Sequence, residues 1–247
     1  MAISGNVEHA PWLTGLSYQG RTVFYATAPV ILEAALSGSE EGIAGASVRF
    51  YVDGALEGSV LTNRSGLARL DIGTMPAGVY AVRAQAAGGL VAETLVAVCD
   101  PTAGCVTGAG QIKSRSSAFP IDPTLTGKAA FGFTSQYEAG VEIPTGSTEF
   151  HFRPAALNFR STAHEWLVVT GNDYARLKGS GKINGLQAPG EQDFQFMLWA
   201  GDGIGDGGAD TFHIKIWCQD GARERVIYNN GLDQAILSGK IVVQSEP

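Results

Sequence analysis

Turn signals punctuate this chain at intervals of roughly 8–12 residues, and the segments between them alternate apolar with polar side chains. Helix faces repeat every 3.6 residues, so a chain with this period-two pattern buries its apolar side chains as strands instead. In PVILEAAL, Val30, Leu32, Ala34 and Leu36 share one face. In ASVRFYVDG, Ala46, Val48, Phe50 and Val52 share one face, and Asp53-Gly54 reads as a tight hairpin turn. NRSG (Asn63 to Gly66) is a second turn, followed by Ala68, Leu70 and Ile72 in alternation. GVYAVRAQAAGG and LVAETLVAV complete the first half. The set predicts an antiparallel sandwich.

The second half alternates more strongly. GKAAFGFTSQY puts Ala129, Phe131 and Phe133 on one face, and STEFHFRP puts Phe150 and Phe152 inside with Glu149, His151 and Arg153 outside. HEWLVVTG, YARLKGSGKING, DFQFMLWAG, TFHIKIWC, ERVIYNNG and SGKIVVQ follow, about eight strands in all with no helical period. The expected organisation is a loose N-terminus over 1–9, a sandwich over 10–99 and a Gly/Pro/Thr-rich joint over 100–112. A larger antiparallel sandwich, jelly-roll-like, then covers 106–247. The fold class is all-β.

Composition excludes several partners. The formal net charge is −7 and no Lys/Arg cluster appears, so the basic footprint that phosphate backbones and anionic membranes require is missing. No apolar run approaches the ~20 residues of a membrane span. MAISGNVEHAPW lacks the basic start and apolar core of a signal peptide. The expectation is therefore a cytoplasmic chain or the mature part of a longer secreted one. Three cysteines are present. Cys99 and Cys105 flank a proline turn in VCDPTAGCVTG, where they either close a small disulfide loop or stand as two free thiols. No Cys/His grouping has zinc spacing.

Two resemblances follow from these segments. The stretch PVILEAALSG…GIAGASVRFYVDGALEGSVLTNRSGLARLDIGTMPAGVYAVRAQAAG resembles the bacterial Ig-like repeats of surface and secreted proteins, over about residues 10–99. The shared motif is structural and implies an Ig-like β-sandwich. CVTGAGQI, DPTLTGKAAFGFTSQYEAGVEIPTGSTEFHFRPAALNFRSTAHEWLVVTGNDYARLKGSGKING and FMLWAGDGIGDGGADTFHIKIW…VIYNNG resemble a C-terminal β domain of bacterial secreted multidomain proteins, over most of 100–244. That resemblance implies an extracellular setting and brings no catalytic residues with it. Where that family carries aromatic residues at the joint, this chain has Cys99 and Cys105, which favours the disulfide; where it carries Asp, this chain has Cys218.

The candidate chemistry centres on GDGIGDGGAD. Asp202, Asp206 and Asp210 are spaced four apart in a glycine-rich loop. Hard carboxylate oxygens plus backbone carbonyls on a flexible loop suit calcium, although the spacing is not an EF-hand and the same composition makes an ordinary hairpin loop. Glu149, His151, Arg153, His213, Lys215 and Trp217 fall on outward faces and form one patch if their strands neighbour each other. There His151 or His213 could act as a base beside a carboxylate such as Glu149; alternation alone also produces such a solvated face. Trp199 and Trp217 lie opposite the Phe-rich face, the position from which an indole stacks on a sugar ring. With Arg153 and Lys215 they make the expected ligand set. There is no G-x-S-x-G elbow and no Walker spacing.

The function that fits is a non-catalytic extracellular module. Its Ig-like part is a spacer, and its C-terminal sandwich binds a carbohydrate, a small molecule or a surface ligand, with calcium as the expected cofactor. The alternative is a calcium- or other divalent-metal-dependent hydrolase of a small ester, lactone or glycoside, with Asp202, Asp206 and Asp210 as ligands.

Overall fold

A computed structural model describes residues 15–38, 42–99, 106–138, 141, 143–170, 173–190, 192–203, 208–220 and 223–244. Regular structure among them is strand, apart from short 3-10 turns such as Ala87–Gly89 and Arg153–Ala155. No described helix is long and apolar enough to cross a membrane. The chain divides into two compact units. One holds the chain up to Gly20 with Ile31–Ile72 and Val82–Glu93; the other holds Arg21–Val30, Gly73–Ala81 and everything from Thr94 on.

The early strands are β1 (Gly15–Tyr18), β2 (Val23–Tyr25), β3 (Ile31–Ser37), β4 (Ser47–Val52), β5 (Ala55–Leu61), β6 (Leu67–Asp71), β7 (Gly78–Ala86) and β8 (Val91–Cys99). One sheet runs β1-β3-β6 and another β2-β8-β7-β4-β5. In the first unit the alternation translates directly into burial: Leu32, Ala34 and Leu36 of β3 and Val48 and Phe50 of β4 are at most 1% exposed. Asp53 and Gly54 both take positive φ, 48° and 85°, which is the primed turn that matches the twist of a β4–β5 hairpin. The two sheets approach closely where Gly58 of β5 meets Leu70 of β6, since a Cβ at Gly58 would lie 3.0 Å from the leucine.

The second unit is built from β9 (Val106–Ser114), β10 (Gly127–Gln136), β11 (Thr145–Phe152), β12 (Leu157–Thr170), β13 (Tyr174–Ile183), β14 (Phe194–Gly201), β15 (Thr211–Asp220), β16 (Arg223–Asn229), β17 (Gln234–Ala235) and β18 (Ser238–Val243). They form one antiparallel sheet in the order β16-β15-β14-β13-β12-β11-β10-β9-β18, with β17 paired to β15. The order is that of an up-and-down meander whose last long strand returns to β9. The sheet folds over on itself to make the two layers of the sandwich. Phe131 on β10 stacks on Phe212 of β15 at 3.9 Å between ring centres, and Phe150 on β11 meets Tyr228 of β16 at 4.5 Å. All four rings are fully buried, so each contributes about 1.5–3 kcal/mol of apolar burial. The Tyr228 hydroxyl donates to Ser114 Oγ at 2.9 Å, which keeps its polar end satisfied inside the core.

Strand β12 departs from simple alternation. Its register with β13 shifts between Ser161 and Ala163 and again between His164 and Trp166. Each shift is a bulge that resets which side chains point inward. His164 is buried as a result, only three positions before the equally inward Leu167.

Candidate functional site

The glycine-aspartate loop joins β14 to β15. Asp202 follows the end of β14 and Asp210 precedes β15; Asp206 lies outside the described residues. Both described carboxylates are under 10% exposed, and each binds the Lys240 ammonium through Oδ1 at 3.1 Å. Their other oxygens accept backbone N–H bonds from β18: Ile241 N–H to Asp210 Oδ2 at 2.7 Å and Val243 N–H to Asp202 Oδ2 at 3.3 Å. Gly203 N–H also donates to Asp210 Oδ1 at 3.0 Å. β18 is an edge strand, and its outward N–H groups would otherwise offer a template for another chain. The two aspartates cap that edge. Burial alone would push the Lys240 ammonium down, but its bonds to Asp210 and Asp202 outweigh that and hold its pKa above the usual lysine value. A cation thus already bridges the two described carboxylates, and it belongs to the chain. No group of three or more metal-ligating side chains is gathered among the described residues.

The outward patch divides in two. Glu149 and His151 share β11, 3.3 Å apart, and Arg160 of β12 reaches Glu149 at 3.4 Å. His213, Lys215 and Trp217 lie on β15, with β12, β13 and β14 in between. The condition that their strands neighbour is not met. Arg153 sits in the 3-10 turn after β11.

The outer face of β13, β14 and β15 is where polar and aromatic side chains concentrate. The register sets them in rows: Arg176, Trp199 and His213; then Lys178, Met197 and Lys215; then Ser180, Gln195 and Trp217. Trp199 and His213 stack at 4.2 Å with their planes 11° apart. His213 Nε2 donates to Asn229 Oδ1 at 2.9 Å, and its Nδ1 lies 3.8 Å from Asp233. Tyr174 donates to Asp233 at 2.8 Å, and burial together with that bond pushes the phenol pKa up to about 12. At the other end Lys215 lies 4.9 Å from the Trp217 ring centre and pairs with Glu224 at 2.6 Å. An open cleft of about 520 Å³ there is lined by Lys178, Gln192, Asp193, Gln195, Trp217 and Gln219. Trp217 itself is only 9% exposed, so its indole forms a wall of the cleft more than a platform.

One contact with a catalytic look was not anticipated. Ser135 Oγ and Thr148 Oγ1 lie 3.1 and 3.2 Å from the two ring nitrogens of His164. Ser135 and Thr148 are fully buried and His164 is 5% exposed. Burial pushes the imidazole down to about 4, so it is neutral at ordinary pH. A serine beside a neutral histidine resembles an activated nucleophile, but this pair is sealed inside the core and its hydroxyls serve to satisfy a buried ring. The bulges that turn His164 inward leave no period-two signal. Cys105 and the Cys99 side chain lie outside the described residues. Cys218 is buried and borders an apolar cavity of about 300 Å³.

No protein-family model matches the chain, and no curated protein does. Among solved structures, the D0-D1 domain of intimin is similar at a TM-score of 0.39 and 15% identity, over 87% of this chain and 98% of that one. A putative membrane-anchored protein from Corynebacterium diphtheriae is similar at 0.32 and 11%, over 93% of this chain and 62% of that one. A Salmonella alpha-2-macroglobulin reacted with methylamine is similar at 0.31 and 16%, over 96% of this chain and 22% of that one. Likenesses this loose assign neither a family nor an activity.

Proposed function

We propose that this chain is a non-catalytic extracellular module. Its first unit is an Ig-like spacer, and its second unit binds a carbohydrate on the outer face of β13, β14 and β15. The observation that carries the reading is the Trp199 ring. One face of the indole rests on His213, and Arg176 is its register neighbour on the other side. An indole fixed by packing loses little freedom when a ligand packs against the part of the ring left exposed, and the surrounding amide, phenol and ammonium groups match the hydroxyl-rich rim of a sugar. The extracellular setting rests on the sequence resemblance. The sealed Ser135–His164 contact and the separation of His151 from His213 both favour binding over hydrolysis.

The test is retention on insoluble polysaccharides. Wild-type protein is retained and eluted by soluble oligosaccharide. Trp199→Ala, on a half-buried outer position, unfolds like wild type and passes through. Equal retention of both proteins overturns the assignment of the site.

A further inference from the structure

The cleft beside Trp217 lies on the same outer face as Trp199, displaced along the strand direction. Gln195, opposite Trp217, is four residues from Trp199 on β14, so the two aromatic positions are separated by about 13 Å at strand rise. That distance exceeds a single sugar ring. Between them the face carries Met197 and Lys215, with Lys178 on the adjacent strand.

The charges along this track are largely paired within the protein. Lys215 is held by Glu224, and Lys178 by Glu165. Asp193 accepts from Thr162 and from Gln187, and these bonds hold its carboxyl below the usual range. What remains to meet a ligand in the cleft is chiefly amide: Gln192, Gln195 and Gln219. A primary amide offers donors and an acceptor side by side, which suits neighbouring hydroxyls that each donate and accept. An anionic ligand would find the ammoniums along the track, Lys178 and Lys215, already held in ion pairs and would have to compete with them.

From this arrangement we infer that the site takes an extended, uncharged glycan whose chain runs along the strands from Trp199 to the Trp217 cleft. Successive rings contact the two ends. The inference rests on the carbohydrate reading and adds to it a ligand class, a direction and a second subsite.

The experiment is titration calorimetry on the full chain with cellulose, xylan and mannan oligosaccharides as length series, their parent monosaccharides, and oligogalacturonate as the charged comparison. Affinity for a neutral series is expected to rise steeply once the oligomer spans both ends, with the monosaccharide and the oligogalacturonate at least tenfold weaker. Gln195→Ala and Gln219→Ala, both at accessible positions, are each expected to weaken the long oligomer about tenfold, the loss of roughly one well-made hydrogen bond. They should leave the shortest binding oligomer on Trp199 unchanged. Trp199→Ala weakens every length. Binding that is independent of length, insensitive to both glutamine variants, or tighter for oligogalacturonate overturns the extended neutral glycan while leaving a sugar site at Trp199. No binding of any probe overturns the carbohydrate reading and this inference together.

Discussion

Protonation of His164 should destabilise the protein from within its core. The imidazole is 5% exposed, packs edge-on to Phe196 at 5.9 Å and has hydroxyls on both ring nitrogens. Its pKa falls from 6.5 in the open chain to about 4 in the fold, because burial penalises the charged ring. The unfolded state therefore binds the proton more readily than the folded state. The stability this group contributes is complete above pH 6.5 and declines as pH falls from there towards 4. At about 1.4 kcal/mol per pH unit between those two values, the loss comes to about 3 kcal/mol. That is a large part of the 5–15 kcal/mol that holds a typical domain. The assay is equilibrium urea unfolding of the full chain in pH steps from 8 to 4, followed by tryptophan fluorescence, beside His164→Gln. Glutamine keeps polar atoms for Ser135 and Thr148 but does not titrate. Carboxylates and the other histidines contribute equally to both proteins and cancel in the difference. The stability difference, wild type minus variant, should fall by about 3 kcal/mol between pH 7 and pH 4. A difference that stays flat across that window refutes the argument, because it would mean the ring takes its proton as easily inside as outside.

Three further outcomes follow from packing and charge. Phe131→Ala removes a fully buried ring stacked on Phe212 and should cost about 3–5 kcal/mol, read as a lower urea midpoint with unchanged slope. Lys240→Met leaves Asp202 and Asp210 facing each other without their shared cation and should cost about 2 kcal/mol at neutral pH, a value reduced from the fully buried case because the lysine is partly exposed. The same variant tests calcium on the loop: millimolar calcium should raise its Tm and leave wild type unchanged, whereas no response in the variant argues against calcium on Asp202, Asp206 and Asp210.

The strands were legible because burial follows period two. Val48, Phe50, Phe131, Phe150 and Phe212 lie on the faces that alternation assigns them, and Asp53-Gly54 makes its turn locally. What sequence reading missed depends on pairings distant along the chain. Glu149 and His213 both point away from the Phe-rich core as alternation assigns them, but alternation says nothing about strand order or cover: three strands part them, and Glu149 is only 6% exposed. Trp217 faces outward as expected yet is nearly covered, because the Lys215 side chain lies over its ring. Lys240 carries no local mark of its role; its carboxylate partners lie on the β14–β15 loop. His164 is hidden by two bulges, each of which breaks the rule that made its neighbours readable.

The return of β18 to β9 also bears on how the protein is made. Gln111 pairs with Ser238, so the first strand of the second unit's sheet gains its outer neighbour only from a strand that follows all the others of that sheet in the sequence. During synthesis β9 through β16 can pair in the order they emerge, while β9 keeps an open side and Asp202 and Asp210 await Lys240. Both are completed by the same six-residue strand, Ser238–Val243. Without it, β9 keeps an unprotected edge and Asp202 and Asp210 lose both their shared cation and their backbone donors. A chain lacking this strand is expected to aggregate more readily and to be digested faster than one that has it.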